Sequence, residues 1–193
     1  MENKEAKYDI GVIHGRFQIL HNDHVKYLLA GKQLCKHLIV GITNPDPSLT
    51  RDSETNPHRS TSLANPLTYY ERYVMVRAAL LEQGLKYSEF SIVPLPINIP
   101  ELIKYYVPID AIFFLTIYDE WGRKKKELLE SLELKIHVLW EVSLKNKGLS
   151  SSDIREAMIN DIQWEHFVPT SVGKLIKKWN IIDRLKKLNR TSF

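Results

Sequence analysis

The stretch GVIHGRFQILHNDH, Gly11 to His24, decides how this chain is to be read. The apolar run Tyr8–Ile13 predicts a short buried strand, and it ends in Gly15-Arg16. Helical spacing follows over His24–Cys35, with Val25, Leu28 and Leu29 as the apolar stripe. In an open parallel sheet, ligands bind beyond the carboxyl ends of the strands, where crossover direction changes. Gly15 would let backbone approach an anion at such a point, and the helix N-terminus adds free N–H groups and partial positive charge. His21 and His24 lie one turn apart and can face the same anion. Asp23 puts a negative charge between them; it is expected to cap the first turn of the helix, because Asp is a good N-cap. The histidine pair could also be half of a zinc site. That reading needs a third ligand from His14, Cys35 or His58, none of them at a recognised metal spacing.

Further along, Leu38–Ile42, Phe90–Leu95, Ala111–Ile117 and Leu134–Leu139 predict four more strands. Asn65-Pro66-Leu67-Thr68 reads as the start of a helix running to Glu82, with Gly84 stopping it. Trp121–Leu132 predicts a helix with a basic face. After Ser150 only helices are expected, over Ser152–Asn160, Ser171–Trp179 and Ile181–Leu188. Strands separated by helices imply an α/β, doubly wound parallel sheet of about five strands. The expected organisation is a core over residues 1–149 and a C-terminal helical appendage over 150–193 in the same domain. Thr43–Asn65 is polar and aperiodic, and a loop of that length in a compact domain is expected to cover a substrate rather than be idle.

The chain's 193 residues suffice to bury a sizeable core. Its composition, 44% hydrophobic and 26% charged, is that of a globular protein. The net charge of +4 suits anionic small molecules and makes no case for nucleic acid. The basic tail Lys174–Arg190 is interleaved with Leu175, Ile176, Ile181 and Leu185, as in an amphipathic helix with a solvated face. A single cysteine, Cys35, excludes an intrachain disulfide and suggests a reducing compartment. With no signal-like N-terminus and no bilayer-length apolar run, a cytoplasmic protein without membrane attachment is expected.

A second motif, Gly148-Leu-Ser-Ser-Ser-Asp-Ile-Arg155, places three hydroxyls and an arginine at the start of a helix. It reads either as an N-cap beside a solvated arginine or as a second phosphate cradle facing the first. These motifs carry a resemblance. GRFQILHNDH resembles the GRFQPxHxGH signature of the HxGH nucleotidyltransferases, and LSSSDIR their ISSTxIR signature. NPLTYYERYVMV (Asn65–Val76) resembles the NPFTxxERxxM segment of archaeal-type nicotinamide mononucleotide adenylyltransferases. VPLPIN (Val93–Asn98) and the stretch Trp164–Lys186 are similar to that same branch.

The resemblance implies a Rossmann-like enzyme that joins ATP or another nucleoside triphosphate to a small phosphorylated acceptor and releases pyrophosphate. It implies that Gly15, Arg16 and Phe17 line the nucleotide and that His21 and His24 contact the triphosphate. Ser150, Ser151, Ser152 and Arg155 would hold the β- and γ-phosphates. Mg²⁺ would be held mainly by phosphate oxygens and water, without a dedicated protein site. A homo-oligomer is also expected. An acceptor phosphate is already ionised, so no general base is needed.

Several residues depart from the family pattern. Asp23 stands for the signature glycine and Ile19 for its proline. The segment after Asn98 lacks the tryptophan that stacks on nicotinamide, leaving Tyr105 or Tyr106 as stand-ins. The Thr-Gly-Asn turn has become Thr116-Ile-Tyr-Asp-Glu-Trp121, and the loop Thr43–Asn65 is longer. All fall where acceptor or base would be recognised. Arg51, His58, Arg59, Tyr105, Tyr118 and Trp121 are therefore the acceptor-site candidates. The leading expectation is nicotinamide or nicotinate mononucleotide adenylyl transfer. The alternative is cytidylyl or adenylyl transfer to another small phosphate or phosphonate, and a nucleotide-binding regulator without catalysis stands behind both.

Overall fold

The apolar runs pair as strands because each can bury side chains on both faces of a sheet covered by helices. The computed structural model describes residues 6–46, 61–143 and 148–190, apart from the side chain of Trp121. Along the chain the elements are β1 (Tyr8–Gly15), α1 (Asn22–Lys32), β2 (Cys35–Thr43), α2 (Tyr69–Glu82), β3 (Phe90–Leu95), β4 (Ile112–Ile117) and α3 (Glu120–Ser131). They continue as β5 (Lys135–Glu141), α4 (Ser151–Ile159), α5 (Thr170–Lys178) and α6 (Ile181–Arg190). A 3₁₀ turn over Pro100–Tyr105 links β3 to β4.

The five strands are all parallel, in the order β3-β2-β1-β4-β5. Strand order thus runs one way from β1 to β3 and the other way from β4 to β5, and the switch point lies between β1 and β4. This is the expected doubly wound, Rossmann-like α/β fold.

Local signals place most boundaries. Thr68 Oγ1 accepts from the Glu71 N–H at 3.2 Å while Glu71 Oε2 accepts from the Thr68 N–H at 2.8 Å, a reciprocal cap that starts α2. Gly84, at φ +84°, takes the left-handed conformation that ends it. The helix expected to reach Cys35 instead stops at Lys32. Cys35 is already paired with Tyr8 in the sheet, and the Tyr8 N–H donates to Leu34 O at 2.9 Å, so ladder bonds override helical spacing there.

One apolar layer covers each face. Ile13, Leu38 and Phe114 pack under α1 and α2, and α4–α6 join the same layer through Ile154, Val172 and Leu185. The C-terminal helices thus complete the main core. On the opposite face Val12, Phe113 and Leu115 pack with Ile103, Val107 and Leu129. Among the described residues no helix is long and apolar enough to cross a membrane.

Candidate active site

The carboxyl end of β1 enters α1 through a buried loop. Phe17 takes φ +52° and its ring is buried. A Cβ at Gly15 would lie 2.9 Å from Phe17 Cζ, so glycine makes room for that ring. The expected reason for Gly15, close approach of a phosphate, is therefore joined by a packing requirement. The Phe17 ring meets His24 edge-on with centroids 5.1 Å apart, and His24 stacks on His21 at 3.7 Å. His21 is the N-cap residue of α1, its ring buried at the helix entrance.

Both imidazoles are dehydrated and only partly satisfied: Nδ1 of His21 and Nδ1 of His24 are buried without a hydrogen-bond partner. Burial lowers the His21 pKa to about 4, against the opposing fields of Asp23 and Asp153. Burial, then the neighbouring His21 and Arg16, push His24 well below the usual histidine range. His14, near the end of β1, is 6% exposed and neither ring nitrogen has a partner. Thr116 Oγ1, at the end of β4, is likewise buried and unpartnered. Buried polar groups are ordinarily hydrogen-bonded. These four residues all lie at the switch point or at the adjoining end of α1.

Two arginines converge on the same loop. Arg155, 7% exposed, donates to Gln18 O through one terminal nitrogen and to Ser152 Oγ at 3.1 Å through the other. Arg72, 2% exposed, donates to the carbonyls of Arg16 at 3.0 Å, Thr43 at 2.7 Å and Asn44 at 2.7 Å. Neither forms an ion pair with a carboxylate among the described residues. Burial lowers both pKa values, that of Arg72 to about 10. Buried charge without countercharge is costly; an anion at this loop would supply the countercharge to both.

The second motif closes on the first. Ser150 is the N-cap of α4: its Oγ accepts from the Asp153 N–H at 3.3 Å and donates to Asp153 Oδ2 at 2.8 Å. Ser151 Oγ donates to Ile19 O at 2.9 Å. Of the three hydroxyls, Ser150 thus takes the capping role and Ser151 the joining of the two motifs, while Ser152 meets Arg155. Asp23 does not cap α1, and the N-cap position belongs to His21, which makes no side-chain cap bond. Asp23 Oδ2 instead accepts from the Leu149 N–H at 2.9 Å, a contact between residues 126 apart. The capping expectation failed because a donor from a distant segment outcompeted the local ones.

The acceptor candidates separate. Tyr118, just beyond β4, is 37% exposed; partial burial and the negative charge of Asp23 raise its pKa, which puts it at the rim of the paired motifs. Tyr105 is 72% exposed, with Lys104 Nζ 5.3 Å from its ring centre. Arg51, His58 and Arg59, and the Trp121 side chain, lie outside the described residues.

Three residues of this region were not among the sequence-derived candidates. Gln18 clamps Leu67 with both arms, donating to its carbonyl at 3.0 Å and accepting from its N–H at 2.9 Å. Arg72 lies within the NPLTYYERYVMV stretch, whose resemblance to a family segment was the available signal. His14 was weighed only as a metal ligand, and a histidine at the end of a buried strand was the cue.

A parallel switch-point sheet, two helix N-termini joined by direct hydrogen bonds, stacked histidines and buried arginines with no ion pair among the described residues fit a phosphate-handling nucleotide enzyme. The cytidylyltransferase-like family profile matches residues 12–157, and the chain belongs to that family of nucleotidyltransferases. It is 43% identical over 91% of its length to the phosphonoformate cytidylyltransferase of Streptomyces viridochromogenes, covering 95% of that protein. It is 31% identical to the nicotinamide-nucleotide adenylyltransferase of Thermococcus sibiricus, over 92% of this chain and 88% of that one. Among solved structures, a bifunctional NMN adenylyltransferase/ADP ribose pyrophosphatase from Francisella tularensis superposes with a TM-score of 0.66 at 16% identity. That likeness of fold covers 95% of this chain and 54% of the other.

Proposed function

We propose that this protein transfers a cytidylyl group from CTP to a small phosphonate or phosphate acceptor and releases pyrophosphate. The observation that carries this reading is the 43% identity to a phosphonoformate cytidylyltransferase, against 31% to an archaeal nicotinamide-nucleotide adenylyltransferase, at nearly equal coverage. It favours the alternative drawn from the sequence over the leading expectation. The departures at Thr116–Trp121 and after Asn98 support the same choice, since they lie where acceptor and base are expected to be recognised.

In this reading an acceptor oxygen attacks the α-phosphorus of the triphosphate. The new P–O bond forms as the bond to the bridging oxygen breaks, and pyrophosphate leaves. His21 and His24 face the phosphates and stabilise the charge that develops, and Arg155 with Ser152 holds the departing pyrophosphate. Carbonyl bonds from Arg72 and Arg155 keep the loop between them rigid, so the donors are set before substrate arrives. The acceptor is already ionised, so positioning and charge stabilisation suffice. Among the described residues no three His, Cys, Asp or Glu side chains are placed to hold a metal. The Asp23 and Asp153 carboxylates accept from backbone N–H groups. Mg²⁺ would therefore arrive on the phosphate oxygens and neutralise part of their charge.

A second reading, adenylyl transfer to nicotinamide or nicotinate mononucleotide, is supported by the NPLTYYERYVMV stretch and the 31% identical relative. Pyrophosphate release measured across CTP, ATP, GTP and UTP, each with small phosphonates, small phosphates and the two mononucleotides, separates them. Turnover with CTP and a phosphonate or phosphate is expected. Turnover confined to ATP and a mononucleotide would establish the second reading instead. Tight nucleotide binding with no turnover for any pair would make the protein a regulator.

A further inference from the structure

Asp23 occupies the position of the signature glycine, between the two histidines expected to face phosphate, where a carboxylate looks misplaced. Its surroundings account for it. Oδ2 accepts from the Leu149 N–H at 2.9 Å, immediately before the Ser150 cap of α4. A Cβ at residue 148 would collide with the same oxygen, so any larger residue before Leu149 would push the Asp23 carboxylate out of this position. Two more contacts reach from α4 to the loop before α1: Ser151 Oγ to Ile19 O at 2.9 Å, and Arg155 to Gln18 O. Of the three, only the Asp23 bond starts from α1 itself; like the Arg155 bond it is charge-assisted, the stronger kind.

We propose that Asp23 is a positioning residue: its carboxylate locks the α4 phosphate-binding segment onto the end of α1, with Gly148 as the space that admits it. The lock sets the separation of the two helix N-termini and thereby the pocket that grips the triphosphate. The carboxylate lies in the first turn of α1, where the helix dipole favours negative charge, and it engages a donor from the approach to α4. Its charge also faces His21 and Tyr118, together with Asp153 on the α4 side. Asp23 therefore acts first on nucleotide grip and reaches the acceptor side only through its field on Tyr118. This rests on reading the paired motifs as a triphosphate site.

The test is a set of four variants, D23A, D23N, G148A and the double variant D23G/G148A, measured with CTP and ATP in the presence of Mg²⁺. Nucleotide Kd by calorimetry, KM for nucleotide and for acceptor, and thermal midpoint are read for each. D23A is expected to raise nucleotide Kd about tenfold, the loss of one charge-assisted bond. Its acceptor KM should stay within about twofold. D23N keeps an accepting oxygen and should bind nucleotide within about threefold of wild type. G148A should bind more weakly than D23A, and D23G/G148A should recover part of that loss, because removing the carboxylate removes the collision. If D23A lowers the thermal midpoint but leaves nucleotide Kd unchanged, or if D23N fares no better than D23A, Asp23 has no positioning role. A wild-type protein that binds neither nucleotide would overturn the triphosphate reading and this inference with it. Wild-type binding with unchanged D23A binding would overturn this inference alone.

Discussion

The His21 and His24 rings stack with centroids 3.7 Å apart and planes 27° from parallel. Two imidazolium ions cannot comfortably share that spacing in a buried site, and burial keeps both rings neutral near pH 7 in the free protein. A triphosphate bound as proposed would reverse the balance by giving each ring an anionic partner.

Nucleotide binding should therefore take up protons. His21 sits at about 4 in the free folded protein, against about 6.5 for an exposed histidine. Bound phosphate lifts it back, so proton uptake should peak between roughly pH 4.5 and 6.5 and vanish above about pH 8. Calorimetry in buffers of different ionisation enthalpy reads it directly. The same shift governs stability. The unfolded chain binds the proton first as pH falls, so free-protein stability held above about pH 6.5 should decline towards pH 4. H21N should show a shallower slope across that window than wild type, the remainder coming from His14 and His24, which burial also holds low.

His24→Ala should lower kcat about a hundredfold or more, the scale of losing one charge-stabilising donor in the transition state. Pyrophosphate release under saturating substrates measures it. A loss under tenfold would remove His24 from the catalytic group.

Arg155→Met tests the uncompensated guanidinium. Exchanging it for an apolar side chain of similar length removes the desolvation cost of the charge and also the bonds to Gln18 O and Ser152 Oγ, so the two effects largely offset. The free protein should unfold within a few degrees of wild type, yet lose most of the thermal shift that CTP or ATP with Mg²⁺ produces. A variant that keeps the ligand-induced shift would show that Arg155 serves the fold alone.

His14→Leu should stabilise the free protein by about 1–3 kcal/mol, the cost of leaving a buried polar group unsatisfied, since both ring nitrogens of His14 lack a partner. Urea unfolding with an unchanged m-value would measure it. A destabilised variant would mean the ring is held by water or neighbours. If His14 serves the site, the gain in stability comes with a loss in turnover.

The amino-acid sequence determined whatever depends on neighbours along the chain. Phe90–Leu95 forms β3 with the bounds its apolar run predicts, and Thr68 with Glu71 starts α2 by a bond spanning three residues. The motifs at Gly15–His24 and Ser150–Arg155 were likewise legible, because phosphate chemistry needs particular residue types at close spacing. Tertiary structure alone decided how those residues are used. Asp23 has the composition of a local cap, but its lone pair meets Leu149, a donor 126 residues away. Arg72 reads as an ordinary helix residue and Arg155 as a phosphate ligand at a helix start; only folding buries both against loop carbonyls, with no ion pair to a carboxylate among the described residues. Ser150 and Ser151 likewise have hydroxyls of one kind, and only packing makes one a cap and the other a bridge to Ile19. Periodicity and capping are encoded in a few consecutive residues, where one backbone geometry wins. A side chain's choice among competing partners is settled by which segments the core brings within hydrogen-bond reach.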